Sequence, residues 1–363
     1  MKRNMYLMLA LVLFLASACD NLDRFPKSKL SAETYFSNEK ELMVFSNKFY
    51  TIFPGTSGVY GEHIDNVIHN SLIAEMRDGR HIPSDASSAG WTWTHLRNIN
   101  ELIEFSVNCP DLAVREHYVA LARFFRAYFY FDKVKRFGDV PWYDKPLGSA
   151  DSDLYKPRDS RDLVMQKVIE DLDYAIAKLP SKKDVYRVTK WTALALKSRA
   201  CLFEGTYRKY HNLVVDGGKT WQFYLEQCAD ASLEFMQTSG YTLYTAGGNT
   251  GIAYRDLFAT LDARSEEIIL ARNYNSALGV IHAANFYTLG VSYGRPGLTK
   301  KAVNYYLMND GTRFTDKAGY ATMEFKDECA DRDPRLAQTI RTPGYTRIGQ
   351  ATKLAPDLAT SVT

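Results

Sequence analysis

Hydrophobic residues recur three and four positions apart over most of the first two-thirds of the chain, the spacing of an amphipathic helix. This spacing predicts helices near residues 91–107, 112–136, 160–178, 189–210 and 221–237. Two earlier helices are also predicted, one from a Ser31 cap to just before Pro54 and one over 61–76. Stretches rich in glycine, serine, aspartate and proline predict loops at 77–90, 138–158, 180–186 and 216–218.

The segment RFFRAYFYFDKVKRFGDVPW, residues 123–142, carries aromatic rings on several sides of its predicted helix. A helix that is apolar on several faces is buried against several neighbours, so this one is expected to be the central element of the scaffold. Arg123 and Arg126 are expected to reach helix ends or carboxylates through that packing. Gly138 suits the end of the helix, and Pro141 prevents it from resuming.

An internal similarity and a change of pattern together predict the fold class. ALARFFRAYFYF at 120–131 aligns with ALALKSRACLFE at 193–204, an offset of about two tetratricopeptide periods. After residue 240, short β-prone pieces such as YTLY and EEIILARNYN alternate with glycine-rich turns. The prediction is a mainly α protein, with a tetratricopeptide-like helical-hairpin scaffold and an irregular, loop-rich C-terminal part carrying a few short strands.

The N-terminus, MKRNMYLMLALVLFLASAC, has the order of an export signal: basic residues, a short apolar run, then small residues. The cysteine that follows resembles the lipoprotein processing site of bacteria, although Ala16 stands where leucine is usual. We therefore expect a signal peptide over 1–18 and a lipid on Cys19 that anchors the mature chain to a membrane surface. The alternative is an ordinary secretory signal followed by a chance cysteine.

Charge and cysteine content exclude some functions and leave others open. The formal net charge of the 363 residues is +3, and Lys2 and Arg3 in the signal supply two of those charges. With no basic stripe elsewhere, a nucleic-acid partner is not expected. The other four cysteines form no CxxC pair, so any disulfide pairing stays open; they are Cys109, Cys201, Cys228 and Cys329.

Catalytic and metal-binding motifs are missing from the sequence. The seven histidines form no HExxH, and neither a nucleophile elbow nor a phosphate-binding loop occurs. Acidic pairs such as Asp171 with Asp173 are expected to be solvated or capping groups, because a glycosidase needs carboxyls opposed across a cleft. We therefore predict no catalytic residues and no metal ligands, and leave the cofactor open.

The 123–142 segment closely resembles the signature of the SusD/RagB family, in which an arginine–alanine–aromatic run leads to Arg-Phe-Gly-Asp-Val-Pro. Further similarities follow in the family's order: the Cys19 start, SAETYFSNEKEL at 31–42, and segments at 157–180, 187–210, 264–270, 298–314 and 331–344. The resemblance implies a lipoprotein exposed on the outer membrane. It also implies that the protein captures oligosaccharides, or peptides in the RagB branch, for a TonB-dependent outer-membrane transporter and catalyses nothing.

The end of the chain departs from this pattern. Family members usually continue well past the segment that here reads DPRL, whereas this sequence ends at PDLATSVT. The sequence therefore suggests a fragment or an abbreviated member. We expect three parts: the signal at 1–18, the helical region at 19–240, and a shortened C-terminal region at 241–363.

A glycan-binding surface needs flat rings for the sugar faces and polar groups for the hydroxyls. Two loops offer both, at 77–93 and at 272–297, and we predict that they act as a pair. Trp91 is expected to be the exposed ring of the first loop, while Trp93 packs inside. The candidate ligand-binding residues are Arg77, Asp78, Arg80, His81, Trp91, Tyr274, Asn285, Tyr287, Tyr293 and Arg295. A surface helical-repeat adaptor that binds another protein, without a small ligand, remains the alternative.

Overall fold

The computed structural model of the protein describes residues 35–55, 66–68, 90–213, 218–282 and 297–353. Between residues 91 and 238, helices form where the hydrophobic spacing predicts them, with ends that differ by a few residues. In the described residues up to 238, the α-helices are α1 (Glu39–Ser46), α2 (Thr94–Phe105), α3 (Leu112–Phe137), α4 (Arg161–Lys178), α5 (Lys190–Tyr210) and α6 (Trp221–Thr238).

Local capping explains where several of these helices begin and end. The side chains of Asp111, Ser160 and Thr220 accept hydrogen bonds from backbone N–H groups in the first turns of α3, α4 and α6. Gly138 ends α3 with a φ of 73°, a conformation that glycine adopts without steric penalty. The predicted end of the central helix is thereby confirmed.

Two predictions for the N-terminal region are wrong where the structure describes it. Helix α1 begins at Glu39 with Asn38 as its cap, so Tyr35 and Phe36 precede it; Ser31 lies outside the described residues. Within the helix predicted over 61–76, the described residues include the strand β1 (Val67–Ile68), which pairs antiparallel with β2 (Gly297–Leu298). A distant partner strand takes up the backbone hydrogen bonds here, which no local pattern reveals.

The strands predicted after residue 240 are also wrong in their positions. Tyr241–Tyr244 forms no strand, and residues 266–275 contribute only the isolated bridge of Asn275 with Val280. Their backbone groups bond to other loops instead, as Ala271 N does to Val185 O at 2.7 Å. Short helices follow: α7 (Ala253–Phe258), α8 (Lys300–Tyr305), α9 (Phe325–Glu328) and α10 (Pro334–Thr339). The mainly α class is confirmed.

Helix α3 is the centre of the core. It packs against α1, α2 and α4, while α5 packs against α4 and α6. Its rings are buried on several faces, including Phe124, Phe125, Phe129, Tyr130 and Phe131. The prediction that this aromatic segment is a central buried helix is therefore confirmed.

Small residues let the later helices approach closely. A Cβ atom built on Gly205 of α5 would lie 2.8 Å from the Leu225 side chain of α6, so the two helices meet where no larger residue fits. Ala120 and Ala193, aligned in the internal similarity, are both fully buried.

The four described cysteines are free. Cys109 and Cys201 are buried, and Cys228 and Cys329 are partly buried. Burial raises the pKa of the Cys201 thiol to about 12, so it stays protonated as a small apolar group. In the part of the chain that the structure describes, no helix is both long and apolar enough to cross a membrane.

Candidate functional site

The two candidate loops are described only in part. Trp91 and Tyr274 lie within the described residues. The lipidation candidate Cys19 and the other ligand-binding candidates lie outside them, namely Arg77, Asp78, Arg80, His81, Asn285, Tyr287, Tyr293 and Arg295.

The strand pair β1–β2 connects the two loops. Val67 faces Leu298 and Ile68 faces Gly297, and Thr299 N donates to Asn66 O at 3.0 Å. Gly297 is the last residue of the second loop, and Ile68 precedes the first loop by nine positions along the chain. The segment that leads into the first loop is therefore bonded to the end of the second.

The other end of the first loop is held by the central helix. Lys133 Nζ in α3 donates to Gly90 O at 2.5 Å, and lies 4.9 Å from the centroid of the Phe129 ring. Burial lowers the pKa of Lys133, opposed by the charge of nearby Asp132. Gly90 has a φ of 81°, and a Cβ there would lie 3.6 Å from Arg136 Nε. Nothing in the spacing of residues pointed to Lys133, which anchors the loop through one backbone carbonyl.

Trp91 is partly buried rather than exposed. Its ring packs edge-on against Trp93 and Phe137, with centroids 5.1 Å and 4.9 Å away, and the Arg158 guanidinium lies 5.1 Å from its centroid. Trp93 packs against Phe129 and other core rings, as expected. The exposure expected for Trp91 is thus limited, because α3 ends beside it.

Tyr274 belongs to the start of the second loop. Its ring lies edge-on to His282, with the centroids 4.6 Å apart, and it is partly buried. Arg272 Nη1 donates to Pro54 O at 3.4 Å, which ties the start of this loop to the turn after α1. The Asn275 side chain accepts from the backbone N–H groups of the short turn that follows it.

The Gly-Asp-Val-Pro-Trp part of the signature forms a fixed turn after α3. The Tyr130 hydroxyl accepts from Tyr143 N at 2.6 Å and donates to Pro141 O at 3.2 Å. The Trp142 ring stacks on the Tyr130 ring, with centroids 4.3 Å apart. Burial raises the pKa of Tyr130 far above its ordinary value, so the phenol keeps the proton that it donates.

Arg123 and Arg126 reach one carboxylate, as the sequence predicted. Arg126 forms two bonds to Asp171 of α4, Nε to Oδ2 at 2.7 Å and Nη2 to Oδ1 at 2.8 Å. Arg123 Nε donates to the same carboxylate at 2.6 Å. The expectation that Asp171 is a solvated or capping acid is wrong, because its side chain is only 1% exposed. Two arginines from another helix balance its charge.

This network also holds the turn of the signature. Arg126 Nη1 donates to Asn100 Oδ1 at 3.3 Å, and Asn100 Nδ2 donates to Tyr143 O at 2.9 Å. Helices α2, α3 and α4 and the turn are thereby joined through polar contacts beneath the aromatic core. This network fixes the backbone of the turn after α3. Its side chains include no nucleophile paired with a base. Among the described residues, no group of three metal-ligating side chains comes together.

The ionisation of Asp159 makes the stability of the turn after α3 depend on pH. It accepts from Trp142 N at 2.7 Å and pairs with Lys156 Nζ at 2.9 Å. Partial burial raises the pKa of Asp159, but these hydrogen bonds outweigh it, so the net pKa is lowered. A carboxyl with a lowered folded-state pKa stabilises the fold above its unfolded value of about 3.9 and loses that contribution as the pH falls through the folded value.

We therefore expect Asp159→Asn to lower the free energy of unfolding at pH 6 and to lower it less as the pH falls below about 4. Urea unfolding of both proteins between pH 3 and 7 measures the difference. Asp230→Asn, which changes an exposed acid on α6, is the control and should leave the profile unchanged. A constant difference between wild type and Asp159→Asn at every pH would contradict this role.

Residues 77–210 match a protein-family model, SusD-like, described as starch-binding and associating with the outer membrane. A curated SusD-like protein of Formosa agariphila is 23% identical over 299 residues, which are 72% of this chain and 50% of that protein. The match to the family model spans α2 to α5 and the signature turn.

Solved structures show the same fold. A SusD-like protein of Bacteroides fragilis has a TM-score of 0.65 and 21% identity, covering 87% of this chain and 62% of its own. A SusD-like carbohydrate-binding protein of the same species has a TM-score of 0.65 and 18% identity, covering 88% of this chain and 62% of its own.

The chain spans about half the length of the curated relative and under two-thirds of each of these two structures. Within that span, the match to the family model includes the signature that α3 and its turn carry. The chain is therefore similar to SusD-like proteins over residues 77–210 and shares their fold.

Proposed function

We propose that the protein binds oligosaccharides at the outer membrane without changing them chemically, and delivers them to a partner TonB-dependent transporter. The observation that carries the proposal is the β1–β2 pair, which joins the segment leading into one candidate loop to the end of the other. The matched family's description as starch-binding, and the carbohydrate-binding relative from Bacteroides fragilis, support this class of ligand.

The loops have the chemistry that a sugar needs. Trp91 and Tyr274 offer ring edges and faces, and the remaining candidates add arginine, aspartate, histidine, asparagine and further tyrosines. Rings bind the C–H faces of sugars, while planar polar groups orient hydroxyls. Because Lys133 holds Gly90, the first loop ends at a fixed point, which reduces the entropy lost on binding.

The location and the partner complete the proposal. A lipid on Cys19 would hold the mature chain at the outer membrane, and the family's description places its members in association with that membrane. The transporter partner rests on the family resemblance of the signature and the ordered segments around it. We propose a surface-exposed position because a captured glycan must be met outside the cell.

The test is a binding screen of soluble protein beginning at Asp20, against a panel of oligosaccharides with peptides included. We expect one glycan class to bind, and Trp91→Ala or Tyr287→Ala to weaken that binding by about tenfold, the loss expected for removing one stacked ring. Tyr210→Ala, which removes a 76% exposed ring at the end of α5, is the matched control and should bind normally.

Other outcomes would replace the proposal. Binding of peptides alone would assign the protein to peptide capture. A folded protein that binds no glycan or peptide, but associates stably with a protein other than a TonB-dependent transporter, would support the adaptor alternative. Because Trp91 packs on Phe137, the thermal transition of Trp91→Ala must be measured beside its affinity.

A further inference from the structure

A second concave site lies apart from the candidate loops. It is a groove of about 320 Å³ between α1, the first half of α3 and the segment that leads into α5. Its apolar lining includes Met43, Tyr50, Leu121 and Val188. Ligand sites in proteins begin at about 300 Å³ and combine such a lining with a few convergent polar groups.

Cations outnumber acids in this groove. Lys182, Lys183 and Arg187 line it, against the single carboxylate of Asp184. Lys183 Nζ donates to Gly240 O at 2.6 Å and Arg187 Nη1 donates to Asn47 Oδ1 at 2.7 Å, so both are held by neutral groups. Lys182 is exposed and contacts no acid within the described residues. The charge of Glu39 also acts on Tyr118 and His117, so three cations face two acids and the remaining positive charge favours an anion.

A tyrosine hydroxyl beside the groove is free to donate. Tyr118 is only 6% exposed, yet among the described residues its hydroxyl makes no hydrogen bond, although its ring lines the groove. The neighbouring Tyr50 hydroxyl, by contrast, accepts from Val188 N at 3.0 Å. Because the Tyr118 hydroxyl has no acceptor among the described residues, it can donate to a ligand in the groove.

His117 stands beside this hydroxyl. Its ring lies edge-on to the Tyr118 ring, with the centroids 4.9 Å apart. Burial lowers the pKa of His117, opposed by the charge of Glu39, and the imidazole is therefore neutral at pH 7 with one N–H to donate. The groove therefore combines phenol, imidazole and ammonium donors with an apolar lining.

We infer that this groove binds a small organic carboxylate, with the acid group received by Tyr118 and Lys182 and the body of the ligand lying on Met43 and Leu121. A carboxylate accepts from two donors at once, and hydrogen bonds to charged groups are stronger than those between neutral ones. The carboxylate can belong to an acidic sugar or to an amino acid or short peptide, two sources that share this chemistry. The inference does not depend on glycan binding at the loops.

Calorimetric titration of the chain beginning at Asp20 with glucuronate, a hydrophobic dipeptide and hexanoate identifies the source. Glucose and the amidated dipeptide are the uncharged controls. We expect at least one carboxylate to bind and its uncharged counterpart to bind at least about tenfold more weakly, since a charge-assisted hydrogen bond is lost.

Single substitutions test which side chains of the groove bind the carboxylate. Tyr118→Phe keeps the packed ring and removes only the hydroxyl, and should weaken binding about tenfold. Lys182→Gln should weaken it about two- to fivefold, and Asp184→Asn should strengthen it by a similar factor because one repulsive charge is removed. Lys317→Gln, an exposed lysine in the C-terminal part, is the matched control and should change nothing.

Three results would overturn the assignment: no carboxylate binding to folded protein at millimolar concentration, equal binding of the uncharged counterparts, or an unchanged affinity in Tyr118→Phe. Trp91→Ala separates this site from the loops, because it should leave carboxylate binding at the groove intact. If the wild-type protein binds a carboxylate at the groove but binds no glycan, the result contradicts only the proposed function.

Discussion

Replacement of Asp171 by alanine is expected to lower the free energy of unfolding by about 3–5 kcal/mol, the range measured when one partner of a buried ion pair is removed. The carboxylate is 1% exposed and accepts from both Arg123 and Arg126. Its loss leaves the Arg126 guanidinium, 8% exposed, without a counter-charge.

The neighbouring arginines supply the controls. Arg123→Met should have a smaller effect, since Arg123 is 23% exposed and Asp171 keeps its two bonds to Arg126. The double variant Asp171→Leu with Arg126→Met removes both buried charges, and its effect should fall well below the sum of the two single effects. Chemical denaturation of the wild type, Asp171→Leu, Arg126→Met and the double variant measures this coupling. A drop below about 1 kcal/mol for Asp171→Ala would show that the carboxylate is not a required counter-charge.

Glu204→Gln is expected to have the second large effect, again about 3 kcal/mol or more, because it leaves buried arginines facing a neutral group. Glu204 is fully buried in α5 and is the counter-charge of two arginines. Arg161 Nη2 lies 2.6 Å from its Oε2, and Arg208 Nε lies 2.7 Å from its Oε1. Glutamine keeps the shape of the side chain and removes the charge.

Arg161 and Arg208 do not depend equally on Glu204 for a counter-charge. Arg208 also pairs with Asp162 at 3.0 Å and donates to Lys219 O, whereas Arg161 has no second acid within the described residues. Arg161→Met in the Glu204→Gln background should therefore recover more stability than Arg208→Met. Glu170→Gln is the surface control, because its pair with Lys167 joins two exposed side chains and should change stability by less than about 1 kcal/mol. Equal effects of Glu204→Gln and Glu170→Gln would contradict the buried network.

Helices were predictable where the signal is local. Hydrophobic spacing and caps such as Asp111 and Ser160 act within a few residues, so α2 to α6 lie close to their predicted positions. The strands were not predictable, because β1 forms only through a partner some 230 residues away along the chain. The β-prone sequence at 266–275 remains irregular, since its backbone bonds to a turn before α5 instead of to a strand.

The candidate site divides in the same way, into local features that the sequence predicts and long-range contacts that it does not. The sequence indicated which loops carry rings and polar groups, and that Arg123 and Arg126 would seek carboxylates. It gave no sign that Asp171 would be that carboxylate, that Lys133 would hold Gly90, or that Tyr118 would line a groove with an unpaired hydroxyl. Each of these contacts joins residues far apart in the chain.

The sequence alone determined the helices of the scaffold, the central aromatic helix and the resemblance to the SusD/RagB family, since each depends on residues adjacent or regularly spaced along the chain. The tertiary structure decided which acid neutralises which arginine, how far Trp91 is exposed and which segments enclose the cationic groove. Burial and charge pairing depend on what the folded chain brings together, and sequence spacing does not encode those distances.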